Sequence, residues 1–247
     1  MSTQPANPAP DIQLAALADD LRLLCRLHGS EADAELLDGL QARPLGDWFA
    51  LRGDFTSGPG AALITESLAG WAHAGSDHGE ILDALAVDYA DIYLTGARHL
   101  APSESYWFTE EHIERQEPMF EVRRWYAHYG LKARDWRRRP DDHLVTQLEF
   151  VAALLEGSRA VRVSDAGRFL DRHLLRWAGD FLAGVERVAG ERFYQGVARV
   201  TNGYLDALRD FIEVSSGEPR RSEPHQTERS TADGGADNYV PGTGPGW

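Results

Sequence analysis

The chain has 247 residues, 43% of them hydrophobic and 26% charged, which is enough for one large core or two small ones. Its formal net charge of −14 argues against general binding to nucleic-acid phosphates and favours basic peptides as partners. The single cysteine, Cys25, excludes a disulfide framework and fits a reducing compartment.

Residues 1–10 are rich in proline and polar side chains, with neither a basic n-region nor an apolar h-region, so they are expected to be a disordered N-terminus and not a signal peptide. No run of about 18 apolar residues occurs, no transmembrane helix is expected, and the expected location is the cytoplasm. Leu14, Leu17, Ala18, Leu21, Leu24 and Cys25 recur three and four apart, one face of a helix that stops near Gly29. Leu36, Leu37 and Leu40 mark a second, short helix ended near Pro44, with Trp48 and Phe49 in or beside a further turn. Leu63, Ile64, Leu68 and Trp71 repeat the pattern before Gly75. Ile81, Leu82, Leu85, Tyr89, Ile92 and Tyr93 form a broad apolar face ending at Gly96, after which a loop carries Pro102.

Ile113, Met119, Phe120, Tyr126 and Tyr129 are assigned to a helix stopped by Gly130, a favoured residue just past a helix C-terminus. Leu144, Leu148, Val151 and Leu155 make a narrow stripe along the helix after Pro140. Phe169, Leu170, His173, Leu174, Trp177 and Phe181 make another face, and Phe193, Tyr194, Val197, Tyr204, Leu208, Phe211 and Ile212 the last. No stretch alternates with period two, so the expected architecture is an all-α bundle of roughly nine to eleven helices over residues 11–214. Residues 215–247, dominated by Gly, Pro, Ser and charged side chains, are expected to be a disordered tail that can be removed without unfolding the bundle.

The run Arg139-Pro140-Asp141-Asp142-His143-Leu144 places two acids and a histidine at the mouth of a strongly apolar helix. Proline fixes the start, and the first backbone N–H groups need acceptors, so Asp141 or Asp142 is a natural cap. Adjacent helical residues point about 100° apart and do not converge on one ion. No HExxH, CxxC or phosphate-binding GxxxxGK[ST] pattern occurs.

This run resembles the Pro-x-Asp-His-Leu signature of the TorD/DmsD family, cytoplasmic chaperones for molybdenum-containing redox enzymes. Further segments carry the resemblance in order. They are Asp88-Tyr89-Ala90-Asp91-Ile92-Tyr93-Leu94, then Ala101-Pro102-Ser103-Glu104-Ser105-Tyr106-Trp107, then Val122-Arg123-Arg124-Trp125-Tyr126-Ala127-His128-Tyr129-Gly130-Leu131. Phe169-Leu170-Asp171-Arg172-His173-Leu174-Leu175-Arg176-Trp177 and Phe193-Tyr194-Gln195-Gly196-Val197-Ala198 follow, so the similarity spans residues 81–212. One departure is Arg139, preceded by Arg137 and Arg138, where the family commonly has an acid before the proline.

The resemblance implies a chaperone, not an enzyme, that binds the twin-arginine signal peptide and the apo-form of a molybdenum-containing reductase or dehydrogenase catalytic subunit of the DMSO reductase family. It would assist cofactor insertion and delay export until assembly is complete. No catalytic residue, metal or cofactor of its own is implied, and no nucleic-acid or stable membrane partner; a monomer and a homodimer both fit. A basic, moderately apolar signal calls for an apolar groove edged by carboxylates. Tyr89, Ile92, Tyr93, Pro102, Tyr106 and Trp107 are the candidate wall, with Asp142 and His143 at the rim. Two alternatives are a helical metal-dependent hydrolase using Asp142 and His143 with His78, His112 or His173, and a helical adaptor unrelated to redox-enzyme maturation.

Overall fold

The structure, a computed structural model, describes residues 10–74, 78–96, 98–109, 112–134, 136–157 and 160–221. The expected disordered N-terminus lies outside these residues except for Pro10, as does the expected tail beyond residue 221. Among the described residues the protein is all-helical, with ten α-helices and no sheet.

In chain order these are α1 (Pro10–Gly29), α2 (Ala34–Gln41), α3 (Pro59–His73), α4 (Gly79–Tyr89), α5 (Glu104–Phe108), α6 (Glu117–His128), α7 (Leu144–Glu156), α8 (Ala160–Arg172), α9 (Ala178–Val188) and α10 (Arg192–Ser216). The periodic faces read from the sequence are for the most part the buried ones; Phe120, assigned to the face of α6, is instead exposed. Leu14, Leu17, Ala18, Leu21 and Leu24 are all in the core, and α1 packs along α7. Helix α10 runs beside α3, α9 and α8. The crossing of α3 and α10 is close enough to require glycine, since a Cβ on Gly196 would stand 2.7 Å from the carbonyl oxygen of Gly60.

Helix α7 is the centre of the molecule. Ten of its thirteen residues are buried, including Val145, Phe150, Ala152 and Leu154, which lie outside the expected stripe. The helix is therefore enclosed on nearly all sides. Each large side chain held there contributes roughly 1.5–3 kcal/mol through burial.

Three stretches differ from the sequence expectation. The segment after Pro102 is not all loop, because residues 104–108 close into α5. Ile113 belongs to no helix; it is exposed between His112 and Arg115, both at positive φ. The face from Phe169 to Phe181 is two helices with a 3₁₀ turn, Leu174–Arg176, between them. His173 leaves helical geometry there, at φ −122 and ψ −80. In addition, α4 passes directly into a π-helical turn, Ala90–Leu94. Tyr89, just before the wider turn, and Ile92, within it, are both buried.

The end of the bundle also lies later than residue 214. Helix α10 reaches Ser216 and is closed by Gly217 in the left-handed region, at φ +72. The next residues are tied down. Arg168 Nη2 bonds Glu218 Oε2 at 2.7 Å, and the buried Arg209 donates to the Glu218 carbonyl at 3.2 Å. The Arg221 amide donates to Asp171 Oδ2 at 2.8 Å, while Asp171 itself is gripped by Arg209 through two bonds of 2.8 Å.

Candidate functional site

Four of the segments that carry the family resemblance, residues 101–107, 122–131, 139–144 and 169–177, meet at the mouth of α7. Leu144 N donates to the Pro102 carbonyl at 2.7 Å and Glu104 N donates to the Asp142 carbonyl at 3.1 Å, an antiparallel bridge centred on Ser103 and His143. Each helix start thereby satisfies one of its exposed N–H groups from the other's chain.

Side chains complete the exchange. Asp142 Oδ2 accepts from the Ser105 amide at 2.7 Å and from Ser105 Oγ at 2.5 Å, so the acid before α7 caps α5. Helix α7 is capped instead by His143, whose Nδ1 accepts from Val145 N at 3.1 Å. The expectation that Asp141 or Asp142 caps α7 is thus corrected. Asp141 faces α6, taking Arg123 Nε at 2.5 Å on its carboxylate and the Tyr126 hydroxyl at 2.8 Å on its carbonyl.

Behind this cap lies Glu104, buried as completely as the apolar core around it. Gln147 Nε2 donates to Glu104 Oε2 at 2.9 Å and to the Asp142 carbonyl at 3.0 Å. His173 Nδ1 stands 3.1 Å from Glu104 Oε1, which accounts for the interruption of helix at residue 173. One carboxylate therefore joins α5, α7 and the α8–α9 break.

Three buried atoms of this knot have no hydrogen-bond partner: Asp142 Oδ1, Gln147 Oε1 and His173 Nε2. The two oxygens are acceptors, and His173 Nε2 is one when Nδ1 carries the proton toward Glu104. The knot is short of donors. Burial raises the Asp142 carboxyl to about 6, against the lowering bonds from Ser105 and with a further upward push from Glu104. Burial likewise holds His143 well below its ordinary value, helped by Arg139 and His28.

A second cluster adjoins it. His28 is buried between the Tyr93 hydroxyl, 2.6 Å from Nδ1, and Thr201 Oγ1, 2.8 Å from Nε2, and burial lowers it to about 3. Tyr93 is in ring contact with Tyr89, at 4.8 Å between centroids, and with Phe181, at 6.0 Å. Asp88, one residue before Tyr89, accepts from the amides of Gly190 and Glu191 at 3.0 and 2.6 Å and so anchors α4 to the start of α10.

The eight candidate residues are therefore brought together as two adjoining groups: Pro102, Tyr106, Trp107, Asp142 and His143 at the α5–α7 junction, and Tyr89, Ile92 and Tyr93 beside His28. They do not form an open groove. Tyr89, Ile92, Pro102, Asp142 and His143 are buried, and only Tyr93, Tyr106 and Trp107 keep partial exposure. Asp142 is not at a rim because its carboxylate is turned inward to hold α5. Glu104, Ser105, Gln147 and His28 escaped the sequence reading. A glutamine among Leu144, Val145 and Leu148 was the available signal, since a polar side chain in an apolar helix must find a partner.

The histidines named for a hydrolytic site are dispersed. His78 stacks on Trp71 at 3.5 Å, His112 lies against Tyr106 at 4.9 Å, and His173 is engaged by Glu104. Among the described residues no group of three or more His, Cys, Asp or Glu side chains is arranged to hold a metal ion. Nor is any helix of these residues long and apolar enough to cross a membrane.

Polar side chains thus lock the starts of α5 and α7 together inside an all-helical bundle. Comparison with known sequences identifies the family: residues 59–183 match the family described as "Nitrate reductase delta subunit", and the chain belongs to this family of TorD-like chaperones. It is 25% identical over 200 residues to the chaperone protein TorD of Shewanella pealeana, covering 78% of this chain and 87% of that one. It is 29% identical over 189 residues to TorD of Shewanella loihica, covering 73% and 85%. To TorD of Vibrio cholerae it is 24% identical over 129 residues, about half of this chain.

Proposed function

We propose that the protein is a maturation chaperone for a molybdenum-containing reductase or dehydrogenase. In this reading it binds the twin-arginine signal peptide and apo-form of the catalytic subunit, in the cytoplasm, until the cofactor is in place. Masking the signal delays export, and holding the apo-form favours the cofactor-accepting state by mass action. Family membership and the relatives named as chaperones support the general role.

The observation that carries the finer reading is the donor deficit beneath α5. Asp142 Oδ1 and Gln147 Oε1 are buried acceptors without partners, and Asp142 is ionised at neutral pH in surroundings that disfavour its charge. A guanidinium supplies planar donors and a positive charge together, which relieves both costs. The arginine reaches this point when α5 moves aside. That helix has only five residues and is fastened to α7 and His173 mainly by the hydrogen bonds of Glu104 and Ser105. Its displacement also exposes Pro102, Tyr106 and Trp107 as an apolar wall for the stretch behind the arginines. Tyr89, Ile92 and Tyr93 line the deeper part, beside His143.

Calorimetric titration with a synthetic twin-arginine peptide tests this. Binding by the wild type should weaken as pH falls through about 6, where Asp142 takes up its proton, and binding by Asp142→Asn should be weaker at neutral pH and flat across that range. Trp107→Ala should cost more than about 1 kcal/mol of affinity, as buried aromatic anchors do. Wild-type affinity in both variants, with folding intact, would exclude the α5–α7 junction as the site.

A further inference from the structure

The surface beside the α6–α7 connection has a chemistry unlike the rest of this acidic protein. A cavity of about 370 Å³ lies between Tyr126, Leu131, Ala133 and Trp136 and opens onto a second of about 460 Å³ that continues along α7 toward Phe150. Its edge is apolar and uncovered: Trp136 is 52% exposed and Leu131 38%. The segment forming that edge, residues 131–139, holds Lys132, Arg134, Arg137, Arg138 and Arg139 against the single acid Asp135. Lys132, Arg134, Arg137 and Arg138 are exposed, and Arg137 lies over the Trp136 ring at 5.3 Å. The one carboxylate lining the smaller cavity, Asp141, is already occupied by Arg123; the larger is lined on its α7 side by Glu149 and Glu156, the latter paired with Arg22, so the basic character belongs to the edge at Lys132 and Arg134. A twin-arginine peptide would be repelled here, whereas a segment with carboxylates beside an aromatic or aliphatic residue fits both features.

The same chain carries such a segment. Beyond residue 221 the acids Glu223, Glu228, Asp233 and Asp237 face only Arg229 as a formal cation, and Asp233 and Asp237 come just before Tyr239 and Val240. The chain also leaves the bundle close by. Glu218 is held by Arg168, Arg168 bonds Asp165 at 3.1 Å, and Asp165 accepts the hydroxyl of Tyr129, two residues before Leu131. From Arg221 to Asp233 the chain can extend up to about 40 Å. A tether this short gives the segment a local concentration of the order of millimolar at the groove.

We infer that residues 233–240 dock within their own chain onto the groove beside Trp136, their carboxylates against Lys132 and Arg134 and their apolar residues in the cavity. This contact is separate from the α5–α7 junction, so its failure leaves the peptide site untouched.

The test uses the full chain with Trp136 replaced by the photo-crosslinker p-benzoylphenylalanine. Irradiation should join position 136 to residues 233–240 of the same molecule, in a band that migrates as a monomer and is mapped by mass spectrometry. Asp233→Lys with Asp237→Lys should reduce the yield several-fold, and adding Lys132→Glu with Arg134→Glu should restore it. All these positions are exposed or lie outside the described residues, so circular dichroism should be unchanged. Cross-links between two copies, to another protein only, or to none of these residues overturn the inference, as does a yield indifferent to charge reversal.

Discussion

Glu104 and His173 lie 69 residues apart in the chain and meet inside the protein, Oε1 3.1 Å from Nδ1. Because the same carboxylate also receives Gln147, Glu104→Ala leaves two buried donors unsatisfied. It should lower stability by about 3 kcal/mol in urea unfolding. Glu104→Gln keeps an acceptor and should cost about half as much. Equal losses would mean that the side chain acts through its shape and not its bonds.

Asp142 makes a pH-dependent contribution whose sign is fixed by burial. Its carboxyl is raised from 3.8 to about 6, so between those values the folded state holds a proton that the unfolded chain releases. Stability from this group is complete below about pH 4 and is lost as pH rises through about 6, a change of about 3 kcal/mol. Asp142→Asn lacks this dependence. Its stability relative to the wild type should therefore improve by about that amount between about pH 4 and pH 8, and a constant difference would show that Asp142 does not titrate there.

His28 acts in the opposite direction. Burial lowers it from 6.5 to about 3, so its contribution is present above pH 6.5 and is lost as pH falls toward 3, by about 1.4 kcal/mol per pH unit. His28→Gln, followed by denaturant unfolding across this range, should remove most of that acid sensitivity. At about pH 8 the same variant should be less stable by about 1–2 kcal/mol, because it disturbs the bonds to Tyr93 and Thr201.

The last described residues separate two truncations. A chain ending at Arg221 keeps the Glu218–Arg168 pair and the Arg221 amide on Asp171 and should melt within a few degrees of the full chain. A chain ending at Ser216 loses these and the bond from buried Arg209 to Glu218. It should be less stable by about 2 kcal/mol, which lowers Tm by about 4–8 °C. Indistinguishable melting curves would show that the ties beyond Ser216 contribute nothing.

The long helices were legible because burial imposes a period that any 10-residue window displays, as Leu14 to Leu24 do along α1. Helix α5 was not, since five residues are too few for a period and its cap comes from Asp142, 37 residues away. The break at His173 was hidden for a related reason. The apolar spacing from Phe169 to Phe181 continues across it, while the cause is the contact with Glu104. Asp142 and His143 were found as a pair, but an acid at a helix mouth reads the same whether it caps its own helix or a neighbour's. That difference decided whether the carboxylate faces solvent or the interior.

Helix α5 also has a defined place in the order of folding. Five residues cannot pay for their own nucleation, and apart from the Gln116 amide on Ser105 Oγ the side-chain bonds that fasten Glu104 and Ser105 come from residues 142–147 or from His173. The mouth of α7 must therefore already be built, and the α8–α9 turn closed, before α5 has anything to hold. Substitutions in α5 should accelerate unfolding and leave the folding rate almost unchanged, the signature of an element that arrives after the transition state.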